Sequence, residues 1–107
     1  MKVTTRSITV EILAMELANR SVWHGQNIHG HSVQGIHFGG RGILPEPYWT
    51  AAEGAVYAVY HYETPIAWEG TGGAWYVPNE RYSQTTNVFR NKVVKALEAN
   101  GYTVESI

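Results

Sequence analysis

The sequence predicts an α+β domain: a small antiparallel sheet of three to five strands flanked by an amino-terminal and a carboxy-terminal helix. Three observations lead there. Val10, Leu13, Ala14 and Leu17 recur at i, i+3, i+4 and i+7, the spacing of one helical face. "AVYAVYHYE", residues 55–63, alternates with the period of a strand and carries apolar or aromatic groups on both sides. Phe89, Val93, Ala96 and Leu97 form a second helical stripe, which Gly101 closes. At 107 residues the chain has the length of a single domain, 1–107, with one core.

Taken in order, "KVTTRSI" has the β-branched content of a short strand or arm. A helix is expected over 9–19, with Thr9 as its N-cap, Glu11 in the first turn and Asn19 as its stop. From Ser21 to Leu44 there are six glycines, four histidines and a single formal charge, Arg41. That density of glycine weakens helix and strand alike, so the expectation is a long loop with short strands near 36–38 and 43. "PEPYW" extends the loop, because each proline restricts its predecessor to extended geometry. After the central strand, Pro65 makes a corner. Ile66–Trp68 and Ala74–Val77 then flank "EGTGG" as a hairpin, in which Trp68 and Trp75 would pair across the strands. Thr85 or Thr86 caps a helix over 87–99, and "YTVESI" supplies an edge strand.

Composition narrows the function classes. A 44% hydrophobic and 12% aromatic content is that of a globular chain. The net charge of −1 gives no general attraction to nucleic acid. Every acidic residue is Glu, which argues against Asp-rich Ca²⁺ or Mg²⁺ loops. Cysteine is absent, and with it thiolate nucleophiles, disulfides and Cys-based zinc sites. No run approaches the about 20 apolar residues of a membrane span. "MKVTTRSITVEILAMELANRS" is too interrupted by polar residues for a signal peptide, so a cytoplasmic location is expected.

Two stretches carry a resemblance. "YHYETPIA", Tyr60 to Ala67, and "YSQTTNVFRNKVVKAL", Tyr82 to Leu97, are similar to the paired motifs "YSYGTPIA" and "YSxTTxxHQxxVxxAL" of a small uncharacterised family met in actinobacteria, archaea and their phages. Phe89 and Arg90 stand where that family commonly has a His-Gln pair. The resemblance covers about a third of the chain and implies a small accessory protein of a phage or mobile element. It brings no activity with it. The residues themselves read mainly as scaffold: Ser and Thr at a helix start, Pro at a strand corner.

Candidate chemistry lies elsewhere. His24, His29, His31 and His37 fall within fourteen residues, and His29 and His31 would share one side of an extended segment, where both imidazoles could reach one ion. Glu46 or Glu53 could complete a ligand set, and Glu46, Glu53, Glu63 or Glu69 beside a histidine could serve acid–base catalysis, but the spacing matches no established cassette. "GGRG" at 39–42 lacks the Lys-Ser/Thr of a phosphate loop, and Ser21, Ser32 and Ser83 lack a nucleophile's context. No cofactor is expected. Seven Tyr and four Trp exceed what one small core readily hides, and such residues anchor interfaces. Trp23, His29, His31, Tyr48 and Trp49 are therefore the candidate protein-binding residues, facing a host or self chain, with a homo-oligomer among the outcomes. Arg81, Arg90, Lys92 and Lys95 form the rival surface, for nucleic acid. A metal-dependent enzyme built on the histidine loop is the remaining alternative.

Overall fold

The computed structural model describes residues 2–4, 9–25, 27–35, 48–62, 64–79 and 84–107, with the backbone alone at 2–4 and at Trp49. The expected strands near 36–38 and 43, the "GGRG" stretch, His37, Glu46, Glu63, Arg81 and Ser83 lie outside the described residues.

The elements run β1 (Lys2–Thr4), α1 (Val10–Asn19), β2 (Val22–His24), β3 (Ile28–Ser32), α2 (Trp49–Glu53), β4 (Ala55–His61), β5 (Thr64–Gly70), β6 (Trp75–Val77), α3 (Gln84–Ala99) and β7 (Val104–Ser106). The mixed α+β architecture and the two flanking helices agree with the sequence. The sheet is larger than expected, however: seven strands, laid side by side in chain order. It is also not purely antiparallel. β2 through β6 form an antiparallel meander, while β1 pairs parallel to β2 and β7 parallel to β6.

The two parallel pairs explain where the long helices go. A parallel neighbour needs a crossover, and α1 and α3 supply one at each edge. Strands β1, β2, β6 and β7 all run the same way, and both crossovers step in the same direction along the sheet. Right-handed crossovers then place both helices on one face, where α1 and α3 pack against each other.

Local sequence sets each helix. The Thr9 hydroxyl accepts from the Ile12 amide at 3.2 Å, the N-cap expected from sequence. The helix ends at Asn19, as expected, and Arg20 caps it in the left-handed region at φ 48°. In α3 Thr86 lies inside the helix and is buried, so it does not cap. Gly101, at φ +78°, ends that helix as expected, with the Tyr102 amide returning to the Leu97 carbonyl.

The main core lies between these helices and the sheet. It joins Leu13 and Leu17 of α1 with Val93, Ala96 and Leu97 of α3, over Trp23, Ile28, Tyr57, Val59, Ile66, Ala67, Trp75 and Val77 of the sheet. Ile66 is buried beside its neighbour Ala67 because the β4–β5 register slips between Val59 and Tyr60, leaving one extra residue on β5. A smaller cluster occupies the opposite face, where the short helix α2 brings Ala52 onto Ala55, Ala58 and Trp68.

Three expectations change. The glycine-rich 21–35 segment forms two strands instead of a loop, because Trp23, Ile28 and Gly30 alternate inward against β4. "YW" of "PEPYW" begins α2. Trp68 and Trp75 do not meet: Trp68 is opposite Tyr76 and Trp75 opposite Glu69, so the two indoles lie on opposite faces of the sheet.

Candidate functional site

Among the described residues, α1 and α3 shelter one face of the sheet, while α2 lies on the second face, over β4 and β5. Alternation decides which side chains reach that second face. With Trp23 and Ile28 turned toward the helices, His24, His29 and His31 turn the other way, and Tyr60 joins them from β4.

Register brings the four rings together. His24 is opposite His29 on β2–β3, and His29 is opposite Tyr60 on β3–β4. Ring centroids are 5.9 Å apart for His24–His29, 5.3 Å for His29–His31, 5.1 Å for His29–Tyr60 and 5.4 Å for His31–Tyr60. The planes of His29, His31 and Tyr60 agree within 13°. Their centroids form a nearly equilateral triangle rather than a column, so the rings are slipped past one another as a patch. All four side chains are half-buried. Tyr60 also packs on the second-face cluster, together with Val33 and Tyr48, which makes the patch continuous with α2.

Hydrogen bonds fix two of the imidazoles. His29 Nε2 lies 3.0 Å from the Tyr62 carbonyl, and His31 Nδ1 lies 3.1 Å from the Ser32 carbonyl. A carbonyl only accepts, so each of these nitrogens carries the proton and donates it. The other nitrogen of each ring, His29 Nδ1 and His31 Nε2, makes no hydrogen bond among the described residues. Burial pushes the His29 pKa below the usual imidazole value. The Tyr62 carbonyl opposes that shift, and the neighbouring His31 and His24 reinforce it. Burial likewise raises the Tyr60 phenol, keeping it protonated.

The other candidates fall into different places. Trp23, expected at a contact surface, is fully buried in the main core. Its indole donates to the Tyr57 hydroxyl at 2.9 Å, which donates to the Ser21 carbonyl at 2.6 Å. Trp23 is therefore a folding residue, placed inward by β2 alternation. Tyr48 is half-buried against the second-face cluster at the entry to α2, and Trp49 opens that helix. Sequence reasoning missed Tyr60 as a partner of the histidines. The signal was the alternation of β4, which puts Tyr60 opposite to Val59, but the partner strand had been read as loop.

The basic residues do not gather. At about 100° per residue Arg90 lies roughly 160° around α3 from Lys92 and 140° from Lys95. Arg90 lines a recess of about 330 Å³ with Asn79, Val94, Glu98 and Ser106, between α3 and the β6–β7 edge. Lys92 sits over the Phe89 ring, 5.8 Å from its centroid, and Lys95 is exposed. Among the described residues, Arg90 thus faces away from Lys92 and Lys95 on α3.

Among the described residues no three His, Asp or Glu side chains enclose a metal site as the rings stand. Also among the described residues, no helix is long and apolar enough to cross a membrane. The chain belongs to a family of unknown function, DUF8033, whose model matches residues 11–106. No curated protein and no solved structure matches it.

Proposed function

We propose that this protein acts by non-enzymatic binding of another protein chain, through the ring patch on the second sheet face. The observation that supports this reading is the ring patch itself. His24, His29, His31 and Tyr60 form a half-buried, low-charge aromatic surface continuous with Tyr48 and α2. Aromatic groups with polar edges, held on a rigid sheet, are the type of anchor that protein interfaces use. The partner is a host protein and the setting a phage-type accessory role in the host cytoplasm, the context that the "YHYETPIA" and "YSQTT" motifs imply.

The test compares capture from host lysate by wild type and by a His29→Ala/Tyr60→Ala variant, followed by binding of each recovered partner in purified form. The reading requires a host protein that binds wild type directly and loses at least about tenfold in affinity to the variant. Partners retained equally by both remove the patch from the interface. A wild type that self-associates in sedimentation, while the variant stays monomeric, replaces the host protein with a second copy of this chain.

A further inference from the structure

We infer that His29 and His31, with His24 across the ladder, form a binding site for a late first-row divalent metal ion such as Zn²⁺, Ni²⁺ or Cu²⁺. Imidazole is a preferred ligand for these ions. Residues two apart on a strand share a face, and the β2–β3 register adds a third imidazole directly opposite the first. His29 has both other imidazoles within 5.9 Å, ring centre to ring centre.

The hydrogen bonds favour ligation as well as proximity. An imidazole ligand is usually held by its second nitrogen, which donates to a carbonyl or carboxylate and fixes the tautomer. His29 already donates in this way, to the Tyr62 carbonyl, which leaves its Nδ1 as the lone-pair nitrogen.

The ligand set is open rather than closed. The His29 and His31 planes are only 8° apart, so their free nitrogens do not yet converge on one point. With His29 held by Tyr62 across the turn, His31 and His24 must rotate about their side-chain bonds, and His31 gives up its bond to the Ser32 carbonyl in doing so. Half-exposed rings make such rotations rapidly. Tyr60 walls the patch on the β4 side. Two or three protein ligands leave coordination positions for water or for another molecule's side chain. The inference does not depend on the protein-binding reading, because the ion needs no partner.

The test uses untagged full-length protein, titrated calorimetrically with ZnCl₂ and with NiSO₄ at pH 7.5. The expected result is one saturable site with Kd of about 10 µM or tighter. The site should be lost in His29→Ala/His31→Ala, and in His29→Gln/His31→Gln should the alanine pair fail to fold. His24→Ala should weaken it about fivefold or more, because a linked ligand contributes through effective concentration. His61→Asn, altered on the other face of the sheet, should leave it unchanged. Affinity should fall as pH drops below the imidazole range, where protons compete for the lone pairs. The absence of saturable binding, or equal binding by the double variant, overturns the inference. A host partner retained in chelator leaves the protein-binding reading standing whatever the metal result.

Discussion

Gly30 is where one hydrogen atom in place of a methyl group holds the core together. A Cβ there would lie 2.4 Å from the Trp23 indole nitrogen and 2.9 Å from the Tyr57 hydroxyl, the two atoms that bond to each other. Both belong to rigid, fully buried rings, so neither can yield cheaply. Gly30→Ala should therefore destabilise by about 1–3 kcal/mol in denaturant titration, the usual cost of overpacking. His61 makes a different prediction. It is buried, its Nδ1 is 2.7 Å from the Thr86 hydroxyl, and its Nε2 is buried without a partner. Burial lowers its pKa below 6.5. Below that pH the unfolded chain takes up a proton that the folded one resists, so stability is held above the unfolded value and falls as pH descends through it. His61→Asn should flatten the stability profile between pH 7 and pH 5, measured by denaturant midpoints. An unchanged slope would assign the acid sensitivity to other groups.

Each long helix shows how far periodicity carries and where it stops. The stripes Leu13–Leu17 and Val93–Ala96–Leu97 are the buried faces, as their spacing indicates, because 3.6-residue periodicity survives any tertiary setting. β2 and β3 were not legible. Each is short, and their glycine and histidine content signals loop; only pairing with the long strand β4 makes them strands. The histidine pair could be placed on one side of an extended segment from spacing alone, whereas its contact with Tyr60 depends on register, which sequence leaves open. The hairpin tryptophans test that register. Trp68 is fully buried in the second-face cluster and donates to the Ala51 carbonyl at 3.2 Å, tying β5 to α2. Trp68→Ala should cost about 3–5 kcal/mol. Trp75 is equally buried on the helix face, but its indole nitrogen has no partner. Trp75→Phe should thus cost less than Trp68→Phe, since it removes an unsatisfied donor rather than a made bond. Equal losses for the two phenylalanine variants would refute the asymmetry. At the end of α1, Arg20 forms a two-bond ion pair with the buried Glu69 of β5 and lies over the Tyr102 ring. The carboxylate holds the guanidinium pKa above its usual value. One side chain thus joins the amino-terminal helix, the middle of the sheet and the approach to β7.

Across the whole molecule, strand order follows chain order without exception, so every β pairing joins consecutive strands. Long-range closure is shared between the β3–β4 pairing, which joins Ile28 to His61, and the packing of α1 on α3. The β3–β4 pairing and the two helical crossovers close long stretches of chain, which slows folding relative to a purely local topology. Stopped-flow refolding should give a single phase between milliseconds and seconds, as for mixed two-state domains. Leu17→Ala and Leu97→Ala, in the helix-facing core where α1 packs on α3, should each destabilise by about 2–5 kcal/mol. If helix docking is late, most of that loss should appear as faster unfolding rather than slower folding.

The sequential ladder also fixes how the molecule carries load. Lys2–Thr4 and Val104–Ser106 occupy opposite margins of the sheet, six strand spacings or about 29 Å apart. Tension applied between those margins runs across the strands and opens their bonds one rung at a time, like a zip. Attachment points moved to opposite ends of the neighbouring strands β4 and β5 would instead shear their ladder, loading many rungs together, and separation should then demand a markedly higher force.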